Sequence, residues 1–219
     1  MLCTIASVAT ERWATFDCYG TLIDWNGGIR GELARVFGEE RADELLERYH
    51  ELEPELEADG QRSYREVLTE AMRRLGAPAG EDDALARSLP EWQPFPEVPT
   101  ALTQARERGW KLAILSNTDR DYIEASMKQL AVPFELAVVA SEIGSYKPGL
   151  EHWRAFEREV GRPPDVHVAA SLFHDVAPAN ELGLRSIWIN RLDERADPDP
   201  TKELRDLARL PEALEDVAA

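Results

Sequence analysis

The sequence predicts an α/β fold: a parallel sheet between two layers of helices, with a helical cap inserted after the first strand. Three observations carry this. From Leu102 onward, short apolar runs alternate with amphipathic stretches, the pattern of crossover units on a parallel sheet. A similar run near Ala14 is separated from them by a long stretch of helical periodicity rich in Glu and Arg. Reactive side chains stand directly after the runs, where open parallel sheets bind their ligands.

Taken in order, Ala14–Cys18 (ATFDC) reads as a buried strand closed by Tyr19-Gly20-Thr21. Between Gly31 and Leu89 the pattern is helical. Leu45, Leu46, Tyr49 and Leu52 fall at helical spacing, as do Tyr64, Val67, Leu68, Ala71 and Leu75. Gly76-Ala77-Pro78-Ala79-Gly80 separates two such helices, and Pro90, Pro94, Pro96 and Pro99 punctuate the end of the insertion. The expected organisation is a core of residues 1–24 and 98–219 with a cap of residues 25–97. Helices are then expected at Leu102–Arg108, Tyr122–Leu130, Glu151–Val160 and Pro178–Leu182. Strands are expected at Lys111–Leu115, Leu136–Ala140, Val166–Ala170 and Ser186–Asn190.

A chain of 219 residues buries roughly 70% of its unfolded surface and folds without disulfide or metal. Its net charge of -17, from 42 acidic against 25 basic residues, repels nucleic acid and anionic membranes at long range. Neither is therefore an expected partner. The opening MLCTIASVAT lacks a positively charged region and is followed at once by Glu11, so it reads neither as a signal peptide nor as a membrane span. The two cysteines, Cys3 and Cys18, are read as unpaired, which fits a reducing, cytoplasmic setting. Cys18 points to the strand face opposite Asp17 and is read as a small core residue.

The chemistry lies after the strands. Asp17 and Thr21 follow the first, Ser116 and Asn117 the second, Lys147 the third and Asp175 the fourth. Each has an ordinary structural reading alone: a turn, a helix cap, a solvated helix start, an N-cap. Together they aim four segments at one crevice. Two carboxylates, a lysine and a Ser/Asn pair suit covalent catalysis by Asp, with the lysine compensating charge.

Phe16–Trp25 (FDCYGTLIDW), Leu115–Asp119 (LSNTD), Lys147-Pro148 and the run ending in Asp175 are similar to the four ordered motifs of the haloacid dehalogenase superfamily. The resemblance spans nearly the whole chain, cap included. It implies a Rossmann-like parallel sheet with Asp17 as nucleophile. Phosphatases of that superfamily carry a second Asp two residues after the nucleophile and two acids in the last motif. Here those places hold Tyr19 and Ala170, and Asp17 with Asp175 is a thin ligand set for a hard divalent ion. The Asp-x-Tyr-Gly-Thr-Leu pattern resembles instead the L-2-haloacid dehalogenases, which use no metal and no cofactor. Their Ser and Asn of the last motif are Ala170 and Leu172 here, with Ser171 as a substitute for one of them.

By that resemblance, the substrate is a short 2-haloalkanoic acid, the second product is halide, and a homodimer is compatible. Asp17 would displace halide and form an ester that water hydrolyses. Arg48, on a cap helix, and Asn117 would accept the halide. Ser116 and Lys147 would hold the substrate carboxylate, and Thr21 would orient Asp17. Asp175 would orient Lys147 and activate water, while Tyr19, Trp25 and Trp153 would wall out solvent. His174 is read as packing behind its loop. Two rivals stay open: a Mg²⁺-dependent phosphatase with irregular motifs, and a small-anion-binding protein with weak catalysis.

Overall fold

The structure, a computed structural model, describes residues 11–219 except 59 and 61; Cys3 lies outside the described residues. Six strands form one sheet: β1 (Arg12–Phe16), β2 (Trp110–Ser116), β3 (Leu136–Val139), β4 (Val166–Ala169), β5 (Arg185–Ile189) and β6 (Lys202–Leu204). Their order is β3-β2-β1-β4-β5-β6, and every neighbouring pair is parallel. The chain winds outward from β1 in both directions, so the crevice opens beside the end of β1, at the switch point where such sheets bind ligands.

Both faces are covered. β2 sends Leu112 and Ile114 into one apolar cluster, and Ala113 and Leu115 into a second with Trp13, Trp153 and Phe156, as a strand with alternating faces must when helices pack on each side. The helices are α1 (Trp25–Phe37), α2 (Ala42–Glu57), α3 (Tyr64–Leu75), α4 (Ala84–Ser88), α5 (Val98–Glu107), α6 (Arg120–Leu130), α7 (Ala140–Ile143), α8 (Glu151–Val160), α9 (Ala177–Glu181) and α10 (Leu210–Ala218). No helix among the described residues is long and apolar enough to cross a membrane.

Residues of α1, α2 and α3 line one side of the crevice, and α4 packs against α1 and α3. The segments leading into and out of these helices run side by side: Asp24 N donates to Gln93 O at 2.9 Å, and Phe95 N to Leu22 O at 3.0 Å. Asp24 also caps α1 through Gly27 N at 3.0 Å, the usual role of Asp at a helix start. The next residue must be glycine for a packing reason, since a Cβ on Gly28 would lie 2.4 Å from the Trp92 ring. At α3, Ser63 and Glu66 form a reciprocal capping box. A carboxylate from the other side of the crevice reinforces it: Asp119 accepts from Tyr64 N at 3.1 Å and Arg65 N at 3.0 Å.

The short α7, β6 and α10 went unread in the sequence. β6 is three residues, Lys-Glu-Leu, on the sheet edge, too short to show an alternation. α10 buries Leu210, Ala213, Leu214 and Val217, a helical stripe that the sequence does display. Its Glu215 ties the start of β1 and β2 by an ion pair to Arg12 at 2.6 Å and a bond from Trp110 Nε1 at 2.8 Å.

Candidate active site

β1 ends at Phe16, so Asp17 is the first residue beyond the ladder, held in line by its backbone N–H on Val168 O at 3.1 Å. Its carboxylate lies on a cavity of about 480 Å³ lined also by Tyr19, Trp25, Ser116, Asn117 and Lys147. The Lys147 ammonium donates to Asp17 Oδ1 at 2.9 Å, to Asp175 Oδ1 at 2.7 Å and to Leu115 O at 2.9 Å. Three acceptors satisfy all three of its hydrogens, leaving none for a substrate. Thr21 Oγ1 donates to Asp17 Oδ2 at 2.9 Å and accepts from Ala170 N at 2.9 Å. Each oxygen of Asp17 is thus pinned by one donor.

Electrostatics follow from burial. Burial lowers the Lys147 ammonium, but the Asp17 and Asp175 carboxylates outweigh it and hold the lysine charged far above neutral pH. Burial pushes Asp175 up, but Lys147 and His167 outweigh it and hold it below the ordinary carboxylate range. Asp17 has the opposite balance. Burial pushes it up, Lys147 pulls it down, Asp175 pushes it up again, and the result is raised. Asp175 is the firmly ionised partner, and Asp17 is the more basic carboxylate of the two.

His167 stands behind this triad. Its Nε2 is 2.9 Å from Asp175 Oδ1 and its Nδ1 2.9 Å from Thr15 Oγ1. Both contacts are satisfied when Nε2 carries the hydrogen and the Thr15 hydroxyl donates to Nδ1. His152, pushed down to about 3 by burial and by Lys147, is neutral and lies 3.1 Å through Nε2 from the Ser116 carbonyl. Neither histidine was singled out in the sequence. The signal was a pair of polar residues, Thr15 and His167, in two apolar strands whose register sets them opposite one another.

Of the expected site residues, Asp17, Tyr19, Trp25, Ser116, Asn117, Lys147, Ser171 and Asp175 line the cavity, and Thr21 touches Asp17 from beneath. Two do not come there. Arg48 is exposed on α2, because Leu45 and Tyr49 occupy the buried face of that helix. Trp153 is buried on the far side of His167, with ring centroids 5.1 Å apart, in the cluster with Trp13 and Phe156; it is not part of the wall. Asn117 has a different role from the one expected. Its amide donates to Lys147 O at 3.1 Å and accepts from Lys147 N at 2.7 Å, clamping the lysine's backbone. His174 is not behind its loop but on the cavity wall, with Nδ1 3.2 Å from Ser171 Oγ. Burial lowers its pKa, with Lys147 adding to the effect against Asp175.

The largest omission lies on α2. Glu53 and Glu57 of α2 line the cavity. Burial pushes Glu53 up to about 7, against the pull of the Tyr64 and Tyr49 hydroxyls. It pushes Glu57 up to about 9, with Glu53 adding to the rise. Both fall on the stripe that contains Leu45, Tyr49 and Leu56, so the signal was two acids interrupting an apolar face.

A divalent ion does not fit this donor set. The Lys147 ammonium stands between Asp17 and Asp175, and the phenol of Tyr19 is engaged with Ser126 Oγ at 3.0 Å. Among the described residues no group of three or more His, Cys, Asp or Glu side chains is placed to hold a metal.

The model of the haloacid dehalogenase-like hydrolases matches residues 12–183. (S)-2-haloacid dehalogenase 4A of Burkholderia cepacia is 27% identical over 196 residues, covering 84% of this chain and 85% of the relative. The phosphoserine phosphatase of Thermus thermophilus is 30% identical over 152 residues, covering 66% of this chain and 60% of the relative. The solved L-2-haloacid dehalogenase of Xanthobacter autotrophicus with chloropropionic acid covalently bound superposes with a TM-score of 0.81 at 18% identity, covering 93% of this chain and 98% of that one.

Proposed function

The chain belongs to the haloacid dehalogenase-like hydrolases, and from that premise we propose that it hydrolyses the carbon–halogen bond of a short 2-haloalkanoic acid through an ester on Asp17, without metal. One observation carries this reading. Asp17 sits at the cavity floor with each oxygen held by one donor, while the position two residues on is a tyrosine tied to Ser126. Such a carboxylate is a placed nucleophile with no carboxylic acid two residues on to protonate the group that its attack displaces. Halide needs no such proton.

An Asp17 oxygen forms a bond to C2 as the carbon–halogen bond breaks and halide leaves with the electron pair. Lys147 and Thr21 hold the carboxylate in the attacking orientation, which replaces bimolecular encounter by positioning. Water then adds at the Asp17 carbonyl carbon, the ester C–O bond breaks, and a 2-hydroxy acid departs. His174, a neutral imidazole on the wall, takes a proton from the attacking water and returns it to the ester oxygen as the C–O bond breaks, and the second proton goes to solvent as Asp17 ionises again. Ser116, whose hydroxyl makes no hydrogen bond among the described residues, holds the substrate carboxylate. Asp175 acts as a positioning residue through Lys147. Arg191, the guanidinium on the cavity wall, takes the halide-facing place that Arg48 does not reach.

The test is turnover in heavy-oxygen water. Label appears in Asp17 after several turnovers and in the hydroxy acid only from the second cycle on, because water attacks the enzyme ester. Label in the product of the first turnover with none in Asp17 shows that water attacks the substrate and removes Asp17 as nucleophile. Phosphate release from esters that requires Mg²⁺, with no halide release, replaces the reading with the phosphatase.

A further inference from the structure

The cap face of the cavity has a chemistry that a simple haloacid does not use. Glu53 Oε1 accepts from Tyr49 Oη at 2.9 Å and from Tyr64 Oη at 2.8 Å. Trp25 Nε1 donates to Tyr64 Oη at 3.0 Å, so the phenol oxygen is used as an acceptor there and its hydrogen is directed at Glu53. Two O–H donors on one carboxyl oxygen favour its ionised form. Glu53 is therefore built as an acceptor. One turn on, where helical spacing stacks side chains on one face, Glu57 lines the same cavity and is only 8% exposed.

Neither acid forms an ion pair among the described residues, and the polar neighbour of Glu57 is the Asn117 amide. The Lys and Arg side chains on the cavity pair with other carboxylates. Lys147 is held by Asp17 and Asp175, and Arg191 by Glu97 at 2.8 Å. Arg48 is turned to solvent. A buried carboxylate without a counter-charge is costly, and here the free space beside it is the substrate cavity.

We propose that Glu53 and Glu57 select a substrate carrying a protonated amine at the end remote from its reacting carbon. The claim rests on the reading above only in taking the cavity over Asp17 as the substrate site. The carboxylate end lies toward Ser116 and the ammonium end toward the α2 carboxyls, so the ligand is a zwitterion spanning core and cap. Trp25 and Tyr19 flank the connecting methylenes.

The experiment is calorimetric binding of unreactive ligands to the intact protein, so that it does not depend on halide chemistry. The probes are ω-aminoalkanoates of graded chain length, with alkanoates and dicarboxylates of matched length. At least one ω-aminoalkanoate binds roughly thirtyfold or more tightly than its matched alkanoate, the scale of a desolvated charge pair. Glu53→Gln combined with Glu57→Gln removes that preference while leaving alkanoate binding within about threefold. Circular dichroism and thermal melting confirm that the variant is folded, and a misfolded double variant is replaced by each single one. Equal or tighter binding of the alkanoate or the dicarboxylate overturns the proposal, as does failure of every ω-aminoalkanoate to bind. Failure of halide release from 2-haloalkanoates leaves this result intact and removes only the dehalogenase reading.

Discussion

The Lys147 ammonium lies 2.9 Å from the Asp17 carboxylate, and its other two hydrogens go to Asp175 and to the Leu115 carbonyl. It is a fixed counter-ion, wholly satisfied by the protein, and not a substrate hook. Lys147→Met leaves two buried carboxylates facing one another, a change of about 3–5 kcal/mol for removing one member of a buried pair. The carboxylates then share a proton, which makes Asp17 a poor nucleophile at neutral pH. Halide release falls by at least about a thousandfold, and urea unfolding shifts by that energy. Retention of activity within a few fold contradicts the assignment.

Arg191, not Arg48, stands on the cavity wall where the resemblance had placed Arg48. Arg48→Ala, at an exposed position, changes halide release by no more than about twofold and stability by less than about 0.5 kcal/mol. Arg191 lines the cavity, pairs with Glu97 and lies with its guanidinium carbon 3.5 Å from the Phe95 ring centroid. Arg191→Lys loses the planar fork and the stacking, and kcat falls by at least about tenfold. Steady-state kinetics of the two variants decide between them.

Asp119 joins the two sides of the crevice by accepting the Tyr64 and Arg65 backbone N–H groups at the start of α3. Asp119→Ala leaves those donors unpaired and removes a cap worth about 1–2 kcal/mol. Asp119 is not on the cavity wall, so the loss acts through α3. Thermal stability falls, and KM rises more than kcat falls, since α3 carries Tyr64 to the cavity wall. A kcat defect with unchanged KM contradicts this.

How much of this was legible follows from what each residue needed. The stations after the strands, Asp17, Ser116, Lys147 and Asp175, were readable because strand ends in a parallel sheet converge without any knowledge of register. Thr15 and His167 required the register of β1 against β4, which no local pattern contains. Arg48 shows the limit of spacing. Successive helix residues turn by about 100°, so placing Tyr49 and Leu45 inward turns Arg48 out. The same rotation carries Glu53 and Glu57 inward, and a pattern read from apolar residues alone passes over both. Trp153 failed for a similar reason: α8 buries His152, Trp153 and Phe156 against the sheet, beneath the crevice floor.

The acids of α2 also set how stability responds to pH. Burial holds Glu57 up near 9 and Glu53 near 7, above the ordinary value of 4.5. A group raised in the folded state contributes fully below its unfolded pKa, and that contribution is lost as pH rises through the folded value. Without ligand, the midpoint of thermal unfolding therefore declines from about pH 5 to about pH 9. Asp175 has the opposite sign. Its folded value lies below the ordinary 3.8, so its contribution is present above that pH and is lost as pH falls further. Stability then peaks in the mildly acidic range between the two effects. Glu57→Gln removes a carboxyl that burial keeps protonated in the empty site, so the ligand-free variant gains stability relative to the parent at pH 8–9 and little at pH 5. Melting curves of both proteins across that range supply the measurement. Parallel curves, with no convergence toward acid, mean that Glu57 is ionised in the empty site and owes its place to some other contact.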